Sequence, residues 1–381
     1  MYLLDNLGSK ALPITVHSGE GALLFDTGGR SYWDFYGGHA VTLLGQGHPA
    51  WVDALTRQAR QLSFFTTLGP VPVRSRAAEV LCRFTGMDVA FFVNSGAEAN
   101  EAALKLARKA TGRGAVVAMK GGFHGRTMGA LGVTDGYRTQ HLPAHGDTRF
   151  VPFGDLGALE GALDDDVAAV ILEPVQGIAG IVEPPAGYLR AAAATTRAAG
   201  ALLICDEVQC GVGRMGVPTV SGAAGVRPDV LTLGKGLGGG FPVAATLMTR
   251  EVAETAAPGE HGTTFGGGPL AAAAVVATLG IVEDEGLLQR ATFLGELMQR
   301  VLRVEGVQSI RGAGVWLGLV LDRPARPVAA ELLDRGFLVG TAADPRVLRL
   351  SPPAVLPTYA VDLLASALHD VLEGRPHAAV G

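Results

Sequence analysis

Cysteine, lysine, aromatic side chains and net charge are all scarce in this 381-residue chain, and each scarcity removes a class of explanation. Three cysteines, Cys82, Cys205 and Cys210, cannot form a disulfide framework for a chain of this length. Cys205 and Cys210 also lack the second pair or spaced histidine that would complete a metal site, so no metal is expected and free thiols in a reducing compartment are. The formal net charge of −5, from 31 basic and 36 acidic residues, leaves no general basic field for a phosphate backbone. Nucleic acid is therefore not an expected partner. Met1 to Lys10 has neither the basic start nor the apolar core of a secretory signal. The longest uncharged stretch, His261 to Val282, opens Gly/Thr-rich and leaves only about 14 helix-like residues, short of the roughly 20 a membrane span needs. These absences lead to the expectation of a cytoplasmic protein that is not inserted in a membrane. With 6% aromatic, 18% charged and 48% hydrophobic residues, and 54 glycines, the chain is set to bury a core of small aliphatic side chains, which excludes disorder.

What is present is a recurring unit: a short apolar run that ends at once in polar or Gly-rich residues. Val89–Val93 leads into Asn94-Ser95-Gly96, Ala115–Met119 into Lys120-Gly121-Gly122, and Ala168–Leu172 into Glu173-Pro174. Ala201–Cys205 leads into Asp206-Glu207, and Val230–Leu233 into Gly234-Lys235. Runs apolar on both faces read as buried parallel strands. Helical patterns at 97–109, 156–163 and 187–199 separate several of them. The alternation predicts an α/β fold, a mostly parallel central sheet with helices on both faces, over residues 46–273. Ser95 and Glu98 form a capping box ahead of a helix whose apolar positions are Ala99, Ala102, Ala103 and Leu106. Residues 274–381 read as a smaller α+β C-terminal domain: a helix at 289–304, a strand at 314–321, a helix at 328–335, strands near 337 and 347, and a helix at 359–373. Residues 1–45 read as an N-terminal arm with short strands at 22–26 and 31–35.

Ligands of an open α/β sheet bind beyond the carboxyl ends of its strands, which places Ser95, Glu173, Asp206 and Lys235 on one rim. A carboxylate and a lysine at neighbouring strand ends suit an amine-based covalent catalyst with an electrostatic partner. Only five of the basic residues are lysines: Lys10 in the arm, Lys105 and Lys109 on one helix face, and Lys120 and Lys235 after strand-like runs. Spacing alone leaves Lys120 and Lys235 open, and a solvent-facing loop lysine is the plain alternative for either. Two G-x-G-x-x-G matches, at 211–216 and 234–239, run into Val217-Pro218 and Phe241-Pro242 rather than into helices, so neither reads as a dinucleotide fingerprint. Asp164–Asp166 reads as a solvated loop, and His124 as a turn or packing residue.

Taken in order, Asn94-Ser95-Gly96-Ala97-Glu98-Ala99-Asn100, Gly122-Phe123-His124-Gly125-Arg126-Thr127, Glu173-Pro174-Val175-Gln176-Gly177, Asp206-Glu207-Val208-Gln209, Leu233-Gly234-Lys235 and Gly262-Thr263-Thr264-Phe265-Gly266-Gly267 span most of the chain. The set resembles the class III pyridoxal-phosphate aminotransferases of fold type I, and within them is most similar to the acetylornithine/ornithine group. The resemblance selects Lys235 over Lys120 as the lysine that carries pyridoxal 5'-phosphate and moves the proton. It implies that Asp206 pairs with the pyridine nitrogen, that Val208 and Phe123 lie on the two ring faces, and that Gln209 bonds the 3′ oxygen. The phosphate falls to Ser95, Gly96 and Ala97 at a helix N-terminus, with Thr264 donated across a homodimer interface with shared active sites. Arg126 and Arg349 match the carboxylate clamps, where a planar guanidinium suits bidentate binding. Glu173 belongs to the substrate site, and Glu207 orients neighbours through hydrogen bonds.

The implied reaction moves the terminal amine of an acetylornithine-like donor to 2-oxoglutarate, with a place in arginine biosynthesis. An ω-amino-acid aminotransferase is the near alternative. A mutase, racemase or decarboxylase with the same cofactor and a non-catalytic relative are more distant ones. One position departs from the pattern. Acetylornithine and ornithine members commonly follow Glu-Pro-Val-Gln-Gly with a second Glu that masks the proximal arginine, and here that position is Ile178. Arg349 is thus expected to face ω-amines without that mask.

Overall fold

The computed structural model describes residues 12–136 and 147–375. The readings of Met1 to Lys10 fall outside the described residues. Fifteen strands occur among those residues: β1 (Val16–Glu20), β2 (Leu23–Asp26), β3 (Ser31–Asp34), β4 (Val89–Val93), β5 (Ala115–Met119), β6 (Thr148–Val151), β7 (Val167–Leu172), β8 (Leu202–Asp206), β9 (Val230–Leu233), β10 (Ala244–Met248), β11 (Val307–Ala313), β12 (Trp316–Leu321), β13 (Phe337–Leu338), β14 (Gly340–Thr341) and β15 (Val347–Leu350). Seven form the central sheet in the order β4-β10-β9-β8-β7-β5-β6. All pairs are parallel except those of β10, which runs antiparallel to both β4 and β9. The sheet is mostly parallel, as the apolar runs predict. Every residue of β5, β7 and β10 is buried, which is why these strands carry no alternating pattern.

Small residues set the distance between layers. The helix Gly96–Thr111 buries Ala99, Ala102, Ala103, Leu106 and Ala107 and packs on β7, β9 and β10. Ser95 Oγ accepts the Glu98 N–H at 3.3 Å as the capping box predicts. The reciprocal arm differs: Glu98 Oε2 takes the backbone N–H of Asn94 at 2.6 Å and its side-chain amide at 3.0 Å, one residue before the cap. The helix Pro269–Asp284 is buried along most of its length, including the run Ala271–Val275, and packs against helices Pro49–Gln61 and Pro72–Thr85. It has 16 residues, and no described helix is long and apolar enough to cross a membrane. Its apolar composition serves the core. Cys205 and Cys210 are buried and Cys82 is half-buried, all as free thiols.

Two four-stranded sheets complete the chain. In β1-β2-β3-β13, the early strands pair with a late one, Phe337 standing opposite Trp33. In β11-β12-β15-β14 every pair is antiparallel. The helices Pro49–Gln61 and Pro72–Thr85 and the strands β1 and β11 lie outside the elements read from the sequence. The helix Pro49–Gln61 has no fully buried residue; its half-buried stripe, Trp51, Ala54 and Leu55, rests on the helix Pro269–Asp284.

Candidate active site

The strand ends gather the expected residues on one rim. Asp206 is the last residue of β8, Glu173 follows β7, and Lys235 follows β9 after one glycine. The Gly96–Thr111 helix begins two residues after β4. Asp206 is 4% exposed, so its charge depends on its hydrogen bonds. Its Oδ2 stands 2.7 Å from His124 Nδ1 and accepts the Asn100 amide at 2.7 Å, while Oδ1 accepts the Val208 N–H at 3.0 Å. Burial alone would raise its pKa, but the His124 hydrogen bond and charge, the Val208 N–H and the Asn100 amide together hold it below the usual carboxylate value. Asn100 is anchored in turn: Thr232 Oγ1 donates to its oxygen at 2.8 Å, and its amide also reaches the His124 carbonyl at 2.8 Å.

His124 is therefore not a turn or packing residue; it directly holds the Asp206 carboxylate. Sequence reading missed this because the two lie far apart in the chain, although His124 stands next to Phe123 in the same motif. Asn100 carried a legible signal: a polar side chain on the helix stripe otherwise filled by Ala99 and Ala103. Glu207, by contrast, orients neighbours as expected, accepting the Val220 and Ser221 N–H groups at 2.6 and 2.8 Å.

Glu173 is committed to backbone. Its carboxylate accepts the N–H of Phe123 at 2.9 Å and of Gly177 at 3.2 Å, fixing the loops after β5 and β7. Burial pushes its pKa up to about 7. Lys235 begins a short 3-10 turn with φ of 44°. Burial lowers its pKa, opposed by the charges of Asp206 and Glu173, and among the described residues it makes no hydrogen bond or ion pair. An amine in that state is suited to act as a nucleophile.

The surroundings fit a flat ligand that carries a ring nitrogen and a phosphate. Gly96 approaches Val208 so closely that a Cβ there would stand 2.6 Å from Val208 Cγ1, and a Cβ on Gly234 would stand 3.3 Å from the same atom. Val208 thus lies between the helix N-terminus and the Lys235 loop. The N–H groups of Gly96 and Ala97, in the first turn, have no helix carbonyl to bond and remain available to an anion. Gln209 donates its amide to the His39 carbonyl at 3.1 Å.

The clamp residues come from different parts of the chain. Arg126 stands with its guanidinium carbon 5.6 Å from the Phe123 ring centroid. Arg349, on β15, is 7% exposed. Its sheet neighbours are both glycine, Gly318 on β12 and Gly340 on β14, which leaves room for Gly180 and the Tyr36 ring on either side. Its Nε donates to the Thr341 carbonyl at 2.8 Å and its Nη1 to the Gly177 carbonyl at 3.4 Å, next to Ile178. Sequence reading also missed a left-handed turn here: Gly37, Gly38, His39 and Ala40 have φ of 58°, 56°, 63° and 71°. His39 and Ala40 carry backbone strain there. The His39 ring is hydrogen-bonded by the Tyr36 hydroxyl, and its pKa is lowered by burial and then by the charges of Arg349, Lys235 and Arg126. Thr264 lies apart on an exposed turn beside Phe265, which is 66% exposed and packs on Phe64 at 5.5 Å between ring centroids. No hydrogen bond joins Thr264 to the rim among the described residues.

Residues 5–372 match the family model for class-III aminotransferases. The chain is 46% identical to the acetylornithine aminotransferase of Streptomyces coelicolor, over 100% of this chain and 95% of that protein. It is 44% identical to the acetylornithine aminotransferase of Mycobacterium tuberculosis, over 97% and 94%. Among solved structures, an ornithine aminotransferase from Toxoplasma gondii, described with partial occupancy of PLP at its active site, superposes with a TM-score of 0.93. That match has 32% identity and covers 98% of this chain and 93% of that one. The acetylornithine aminotransferase of Elizabethkingia anophelis superposes with a TM-score of 0.84 at 29% identity, over 95% and 94%.

Proposed function

The chain belongs to the class III aminotransferases, which are pyridoxal-phosphate-dependent, and we propose that it transfers the terminal amine of an acetylornithine-type donor to 2-oxoglutarate on Lys235. The relatives at 44–46% identity over nearly the whole chain support the donor class. The observation that carries the catalytic assignment is the buried Asp206, kept ionised by His124, Asn100 and Val208 on the same rim as an unbonded Lys235.

Pyridoxal phosphate, when bound, supplies an electron sink for the pair released at the donor carbon. Asp206 would hold a proton at the ring nitrogen, and Val208 and Phe123 would confine the ring. Ser95, Gly96 and Ala97 would hold the phosphate, and Gln209 the 3′ oxygen. Lys235 Nζ would carry the cofactor and, once freed, move a proton at the donor carbon. Glu173 holds in place Phe123, beside Arg126, and Gly177, whose carbonyl Arg349 touches. Arg126 and Arg349 would bind the carboxylates of donor and 2-oxoglutarate, and the polar pair Tyr36–His39 borders that space. Thr264 and the exposed Phe64, Phe65 and Phe265 support a homodimer in which Thr264 reaches the partner's phosphate. We place the enzyme in the cytoplasm and, through its product chemistry, in arginine biosynthesis.

A donor screen tests this reading. Acetylornithine should give stoichiometric glutamate from 2-oxoglutarate. If 4-aminobutyrate or a lysine-type ε-amine is preferred, the ω-amino-acid alternative stands instead.

A further inference from the structure

Arg214 is among the most deeply buried large side chains of the protein, at 1% exposure, and lies outside every role assigned so far. It follows two left-handed residues, Val212 and Gly213 (φ of 57° and 85°), in the loop that continues from Asp206-Glu207-Val208-Gln209. Among the described residues no carboxylate makes a direct ion pair with it, although the charge of the buried Asp34 acts on it. Its donors go to backbone instead. Nη1 donates to the carbonyls of Ser351, at 3.1 Å, and Pro352, and Nη2 to the carbonyl of Ala40 at 3.0 Å. Its own carbonyl accepts the Val315 N–H at 3.0 Å, in the turn between β11 and β12. Burial pushes its pKa down to about 9, which still leaves it protonated at neutral pH.

The two segments that it grips carry the substrate side of the site. Ser351 lies two residues beyond Arg349, and Ala40 ends the left-handed turn that presents His39. The same two segments are laced to each other: Ser351 N–H donates to the Phe35 carbonyl at 2.7 Å, and Ser351 Oγ to the Tyr36 carbonyl. Gly37 packs so tightly on this seam that a Cβ would stand 2.2 Å from the Ser351 oxygen. An apolar residue of similar volume would leave the Ser351, Pro352 and Ala40 carbonyls without these donors, at a cost in stability as well as in position. What a planar fork adds is direction, because its donors fix the orientation of the carbonyls they bind.

We propose that Arg214 is a positioning residue for substrate carboxylate binding, tying the cofactor loop to the end of β15 and to the His39 turn so that Arg349 stands at a fixed place relative to Lys235. This rests on the reading of Arg349 as a carboxylate clamp, and the experiment separates the two. In the holoenzyme, Arg214→Lys keeps the charge but loses the fork. It should raise KM for 2-oxoglutarate about tenfold and change kcat less than threefold. Arg349→Lys should raise the same KM at least as much. If Arg214 acts through Arg349, the double variant should cost no more than Arg349→Lys alone. Ser351→Ala, which removes the hydroxyl bond on the same seam, should give a smaller KM increase that also vanishes in the Arg349→Lys background. It carries the test if Arg214→Lys does not fold. A raised KM for Arg349→Lys with an unchanged KM for the Arg214 and Ser351 variants overturns the positioning role alone, as do additive effects. An unchanged KM for Arg349→Lys overturns the clamp reading and the positioning role with it.

Discussion

Glu173 and Asp206 close neighbouring strands of one sheet and are hidden from water to the same degree, at 5% and 4% exposure, yet their carboxyl groups are driven in opposite directions. Burial raises both. Glu173 meets it with the more distant charge of His124 and two backbone N–H groups, against the neighbouring charge of Asp206, and its pKa ends near 7. Asp206 meets it with His124, Asn100 and the Val208 N–H, and ends below the usual value. The partner set, more than depth, decides which of two buried acids keeps its charge. The charged one can hold a proton on a ligand nitrogen, and the other is suited to holding loops.

Substitutions at each member should separate the two roles. Asp206→Asn should retain the fold and lower kcat about a thousandfold, within the range seen when a charge that stabilises a transition state is removed. A loss smaller than tenfold would mean that Asp206 does not serve the ring nitrogen. Glu173→Gln should act on stability. In the cofactor-free chain, Glu173 binds its proton more tightly folded than unfolded, since its pKa is about 7 against an ordinary value of 4.5. Its stabilising contribution is complete below the unfolded value and is lost as pH rises through about 7. Glutamine lacks that dependence. From about pH 5 to about pH 8 the native chain should lose stability relative to the variant, by at most about 3 kcal/mol. Parallel melting curves would contradict the raised pKa.

His124→Ala tests the direct side-chain hydrogen bond that Asp206 has and Glu173 lacks. A hydrogen bond to a charged group contributes about 1.5–3 kcal/mol, so kcat should fall about ten- to a hundredfold, with cofactor affinity also weakened. If Asn100→Ala costs more than His124→Ala, the amide rather than the imidazole is the principal support. The smallest expected effect is on the substrate side. Ile178→Glu, one residue after the carbonyl that Arg349 touches, should raise kcat/KM for ω-amines over α-amino acids about tenfold, about 1.4 kcal/mol. A normally folded variant with an unchanged ratio would show that this position does not set donor preference.

The two halves of the site also differed in how legible they were. The Asp206–Lys235 rim could be read because each residue directly follows an apolar strand run, and a parallel sheet brings such ends together whatever their separation in sequence. The identity of the lysine still required the resemblance, since Lys120 follows a strand in the same way. The support behind the rim was hidden: nothing in the sequence links His124 or Thr232 to Asp206 until β5, β8 and β9 lie near one another. On the substrate side, Arg349 is one arginine among many, and its pocket depends on glycines that face it from two other strands. The left-handed turn at His39 has only Gly37-Gly38 to announce it, and Arg214 spends its donors on backbone carbonyls, which no residue pattern records.

The central claim is that Lys235 is the amine that carries the cofactor. Borohydride reduction of the yellow holoenzyme followed by peptide mass analysis tests it most directly. The account predicts loss of the yellow colour and a cofactor adduct on the peptide containing Lys235; an adduct on Lys120, or no adduct on either peptide, would contradict it.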